Sequence, residues 1–131
     1  MVDGGAVFWS SKKQELVTLS TTEAEYIAAT HAAKKIIWLQ CFIGEVFHTL
    51  AELTTLYSNS QTTITLTHDR NYHAHTKHID VCYHYIHYVI KDGSIQLIYC
   101  PTNEQTADTL TKALPSAKVK HFAAAMGLVA A

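Results

Sequence analysis

A chain of 131 residues with 48% hydrophobic content can build one buried core and is too short for two, so a single domain over residues 1–131 is expected. A formal charge of -1 argues against holding nucleic acid by bulk electrostatics, because neutralising phosphates needs a Lys and Arg excess over one surface. Nine histidines against a single arginine, Arg70, make the charge sensitive to mild acid instead. Cys41, Cys82 and Cys100 are an odd set with no CxxC spacing, and no charged start with an apolar run marks a signal peptide, which points to a reducing cytoplasmic or nuclear setting. The longest apolar run, residues 36–43, contains Gln40 and falls far short of the roughly 20 residues that span a bilayer, so no membrane segment is expected.

In chain order, residues 6–11 and 16–19 read as one extended strand or a bent pair. Ser20 and Thr22 each stand three residues before a glutamate, Glu23 and Glu25, the capping-box pattern for a helix start. A long helix over residues 22–47 follows, with Tyr26, Ala29, Ala33, Ile36, Ile37, Phe42 and Val46 on its apolar face. Residues 53–57 form a threonine-rich strand, and Ser58-Asn59-Ser60 supplies a cap for a helix over 61–67. A histidine-rich loop over 69–76 leads into a helix over 79–91 that Asp92-Gly93 stops. A strand over 95–99 ends at Pro101, and helices over 104–114 and 117–128 flank Pro115. This alternation predicts an α/β fold with a mixed sheet flanked by helices.

Three segments carry a more specific signal: Ser-Thr-Thr-Glu-Ala-Glu-Tyr at positions 20–26, Thr-Lys-His-Ile-Asp at 76–80 and Ala-Asp-Thr-Leu-Thr-Lys at 107–112. Together, in order and spacing, they resemble the ribonuclease H domain that ends the polyprotein of copia-type LTR retrotransposons, over about residues 5–128. The resemblance implies a ribonuclease H-like fold and two-metal hydrolysis, in which two Mg²⁺ or Mn²⁺ ions held by carboxylates activate water and stabilise the leaving oxygen. The family supplies four carboxylates. Its helix glutamate falls on Glu25 and its final aspartate on Asp108, which are the implied catalytic residues and metal ligands.

The strand-end aspartate falls on Asn59, a neutral amide at a degenerate catalytic position, and the first-strand aspartate has no counterpart. Each lost anion removes about 8 kcal/mol of gross attraction for a divalent cation at roughly 4 Å and an effective dielectric of about 20, before desolvation. The bland readings are a first-turn glutamate favoured by the helix dipole for Glu25 and a solvated helix face for Asp108. The resemblance further implies substrate contacts at His73, Lys77 and His78, and leaves Lys12, Lys13 and Lys112 as phosphate contacts. Read without it, such lysines are a solvated face. His73, His75, His78, His84 and His87 also invite a zinc reading, but no cysteine or carboxylate stands at ligand spacing, and the family pattern there is not a zinc site.

Against the family's sheet order, the chain keeps the third, fourth and fifth strands, so a truncated sheet with an open slot is expected beside Val7, Trp9, Leu56 and Tyr57. A homo-oligomer or another protein partner would cover it. The leading reading is a degenerate, inactive ribonuclease H-like domain acting as a binding module, with at most weak contact to an RNA:DNA hybrid. The alternative is a metal-dependent ribonuclease H that cleaves the RNA strand of such hybrids.

Overall fold

A computed structural model describes residues 5, 6, 8–11, 13, 14, 21–50, 52–68 and 77–128, with the side chains of 77–79 left aside. The chain divides into two compact units, one of Leu16–Pro101 and one joining Met1–Glu15 to Thr102–Ala131. No helix among the described residues is long and apolar enough to cross a membrane.

The larger unit runs α1 (Thr21–Phe47), β1 (Thr54–Ser58), α2 (Gln61–His68), α3 (Lys77–Lys91) and β2 (Ile95–Tyr99). Local chemistry accounts for most of these boundaries. The Ser60 hydroxyl accepts the Thr63 amide at 3.2 Å and the Thr63 hydroxyl at 2.9 Å, which caps α2. Gly93, at φ 79°, closes α3 in a Schellman turn: its N–H donates to the Ile90 carbonyl at 3.1 Å and the Ser94 N–H to the Val89 carbonyl at 3.2 Å. At the end of α1 the left-handed residue is His48, at φ 51°.

β1 and β2 pair in parallel, with Thr54 opposite Ile95 and Ser58 opposite Tyr99. The sheet is therefore α/β in kind but parallel and two-stranded among the described residues, where a mixed sheet was expected. The missing strand is the opening one. Residues 8–11 carry no strand, Gly5 forms an isolated bridge, and the Ala6 N–H donates to the Met126 carbonyl at 3.0 Å within the other unit. The expected strand at 16–19 lies outside the described residues.

One face of the sheet builds the core. Ile95, Leu97 and the half-buried Leu56 lie under Tyr26, Ile27, Ala29 and Ala33 of α1 and Cys82, Tyr83, Ile86 and Val89 of α3. The small side chains of Ala29 and Ala33 let α1 and α3 approach, and the rings of Tyr26 and Tyr83 stack at 6.4 Å with 20° between planes. Leu56 thus packs inward and does not mark an exposed edge, contrary to expectation. On the opposite face, Gln96 Nε2 donates to Thr55 Oγ1 at 2.7 Å, while Tyr57 and Ile98 remain exposed. Phe42 and Val46 do not join the core as their periodicity predicts. The core ends at Ile36 and Ile37, and α1 continues beyond it.

Gln40 is the fastening point between α1 and the sheet. Its Nε2 donates to the Glu52 carbonyl (3.0 Å), Thr54 Oγ1 (2.7 Å) and the Ser94 carbonyl (2.9 Å), so one amide reaches the entry points of both strands. Gln40→Ala strands these acceptors in a part-buried position, and a loss of about 2 kcal/mol in urea unfolding is expected. A change below roughly 0.5 kcal/mol would show the fastening contributes nothing net.

In the smaller unit the helix expected at 104–114 is replaced by two 3-10 turns, Thr102–Glu104 and Thr106–Leu110. Gln105 between them is extended, at φ -75° and ψ 98°, and Thr102, Thr106, Thr109 and Thr111 are β-branched residues that lose side-chain freedom in a helix. The last helix, α4 (Ser116–Ala125), buries Phe122. It stops three residues short of the expected Leu128 because Gly127, at φ 75°, forms a second Schellman turn, with Leu128 N–H on the Ala123 carbonyl at 3.0 Å.

Candidate functional site

Glu25 and Asn59 both belong to the larger unit. Gln40 pins α1 to the N-terminal ends of the strands, and Glu25, fifteen residues earlier and about 22 Å along the helix axis, sits at the other end of α1. Asn59 follows Ser58 at the C-terminal end of β1, likewise the end away from Gln40. That is where open parallel sheets place ligands. Both side chains are exposed. Ser58 Oγ accepts the Ser60 N–H at 3.2 Å, so the turn that carries Asn59 is held by its own hydroxyls.

Asp108 belongs to the smaller unit, in the second 3-10 turn. Its side chain is largely buried, and Lys112 Nζ lies 3.1 Å from Oδ2, so an ammonium neutralises the carboxylate. Both residues line a cleft of about 320 Å³ shared with Asn103, Leu114, Lys118 and Phe122. Lys118 was not singled out by sequence reasoning. The usable signal was its position three residues after Pro115, where a helix start puts a side chain beside the preceding turn.

The remaining predicted contacts do not gather into one described surface. Lys12 and His73 lie outside the described residues, as does His75, and Lys77 and His78 open α3 with side chains outside them. Lys13 is exposed in the smaller unit. His84 faces Asp80 at 3.5 Å on the exposed side of α3, whereas His87 donates from Nε2 to the Leu66 carbonyl at 3.3 Å and lies 4.2 Å from the Tyr83 ring. These two histidines thus have different roles, one solvent-facing and one tying α3 to α2. Among the described residues, no group of three or more His, Cys, Asp or Glu side chains could hold a metal ion.

Fold and site together define a small α/β protein in which the first of two parallel strands leads into an amide and the smaller unit holds an ion-paired aspartate. Over 115 residues it is 49% identical to the retrovirus-related Pol polyprotein from transposon TNT 1-94 of Nicotiana tabacum, an alignment covering 88% of this chain and 9% of that protein. It is also 31% identical over 122 residues to the Pol polyprotein from transposon RE1 of Arabidopsis thaliana and 30% identical over 123 residues to that from RE2 of the same plant, covering 93% and 94% of this chain and 8% of each relative. The chain therefore spans less than a tenth of the length of these relatives, and its homologues are retrovirus-related Pol polyproteins of plant transposons. No protein-family model and no solved structure matches it.

Proposed function

We propose that this chain is a degenerate ribonuclease H-like segment of a copia-type retrotransposon Pol polyprotein that does not cleave nucleic acid and works by binding, to another protein or to a second copy of itself. The observation that carries this reading is Asn59: the C-terminal end of β1, where a hydrolytic site of this kind needs an anionic ligand, leads into a neutral amide. A second observation agrees. Asp108 is engaged by Lys112 at 3.1 Å, so a divalent cation would have to displace an ammonium already in contact. These donors do not suit a two-metal centre, and no hydrolytic step is assigned to them.

The test is cleavage of the RNA strand of an RNA:DNA hybrid in Mg²⁺ and in Mn²⁺, with the wild-type chain, Asn59→Asp and Glu25→Gln in parallel. No turnover above background is expected from the wild type in either metal. Turnover that survives purification, disappears in Glu25→Gln and rises in Asn59→Asp would establish the alternative, an active metal-dependent ribonuclease H with Glu25 and Asp108 as ligands.

A further inference from the structure

We propose, resting on the binding reading above, that the partner is a second copy of this chain, paired antiparallel through the outer half of α1 about a two-fold axis level with Gln40. Trp38, Phe42 and Val46 stand four residues apart on one ridge of α1, each about half exposed, and the first two rings are already stacked at 5.5 Å. Gln40 projects the other way, onto the entry points of the strands, so this ridge points away from the core. Lys35, whose Nζ lies 4.5 Å from the centre of the Trp38 ring, and the exposed Glu45 both fall within roughly 60° of Trp38 around the helix.

The exposed area matches what a pair of copies needs. Three side chains at half exposure leave roughly 300 Å² of apolar surface, and Leu50 past the helix end, with the stems of Lys35 and Glu45, brings the face to about 600 Å² per copy. Two such faces together bury about 1,200 Å², the lower limit for a specific interface, which suits a dimer that forms in the micromolar range.

Charge decides the orientation. Glu45 lies in the last turn of α1, which holds no basic residue, so a carboxylate sits at the negative end of the helix dipole. The antiparallel register brings the partner's Lys35 to Glu45, and symmetry makes that pair twice. It also sets Trp38 against the partner's Phe42, gathering four rings into one cluster. A parallel pair would place lysine on lysine and glutamate on glutamate. Cys41 is an exposed free thiol one residue from the axis, so the two copies of it come to the same side, within about 10 Å at ordinary helix spacing.

The test is sedimentation of the whole chain from about 1 to 100 micromolar, with Lys35→Glu, Glu45→Lys and an equimolar mixture of the two, followed by cross-linking with a short bis-maleimide. The wild type is expected to dimerise and to cross-link through Cys41, and Cys41→Ser to dimerise without cross-linking. Each charge reversal should weaken association about tenfold, because it sets like charges opposite one another at two symmetric places, and the mixture should recover the wild-type affinity. Glu45→Lys improves the charge at the helix end, so its melting temperature should not fall. A monomer at about 100 micromolar overturns the proposal and leaves the binding reading to a different protein. A dimer unaltered by either reversal, or one that does not cross-link at Cys41, overturns it as well. Hybrid cleavage is a separate measurement, and turnover there defeats the binding reading whatever the oligomeric state.

Discussion

Ile86→Ala is expected to remove about 3 kcal/mol of stability, the largest loss from any single side-chain truncation considered for this chain. Ile86 is 1% exposed at the centre of the cluster formed by Tyr26, Ala33, Cys82 and Ile95, so the deleted atoms leave a cavity instead of opening to water. Among the described residues, the buried side chains of the two-stranded sheet lie on one face, against α1 and α3. A domain of this size has roughly 5–15 kcal/mol in total, so the variant should unfold at a clearly lower urea concentration with an unchanged slope. Ile98→Ala, on the open face of the same sheet and 41% exposed, is the control and should cost less than about 0.5 kcal/mol. Equal losses for the two variants would mean that the open face is covered in solution and the assignment of core to one face is wrong.

The second large effect concerns assembly. Trp38, Phe42 and Val46 recur every fourth residue along the outer half of α1 and are 54%, 50% and 52% exposed, with Leu50 and Leu53 just beyond the helix at 93% and 53%. Trp38 and Phe42 already stack, with ring centres 5.5 Å apart and 8° between planes, and Lys35 Nζ sits 4.5 Å from the centre of the Trp38 ring. An ordered apolar stripe of this kind, at about 25 cal/mol per Å² buried, provides a strong drive for association. A species heavier than a monomer is expected at tens of micromolar, and Phe42→Glu should shift the association midpoint at least about tenfold, since burying a carboxylate against the stripe forfeits well over 1.4 kcal/mol. Trp9→Glu, in the other unit, is the informative comparison. If it dissolves the assembly and Phe42→Glu does not, the contact runs through the opening segment, where sequence reasoning first placed it. Sedimentation of the wild type as a monomer at 100 micromolar or so would rule out self-association through either surface.

Local chemistry was enough to read most of the larger unit. Ser60 as a helix cap, Gly93 as a left-handed stop and the threonine-rich run expected at 53–57 each act over four or five residues, and the structure has the cap, the turn and the strand at or within one residue of those places. Asn59 was likewise legible as the residue that follows the strand, since β1 ends at Ser58. What lay beyond the sequence depended on contacts between distant residues. Residues 8–11 alternate like a strand and do not form one, and the Ala6 N–H went to Met126, 120 positions away. The apolar period of α1 continues unbroken past Ile37, yet only the tertiary packing decided that Tyr26 and Ala33 would be buried and Phe42 exposed, because a two-stranded sheet covers about half of a 27-residue helix. Lys118 owes its place beside Asp108 and Lys112 to the same kind of packing: lysines look alike in sequence, and only the fold of the Thr106–Leu110 turn against α4 puts this exposed one at the wall of a cleft.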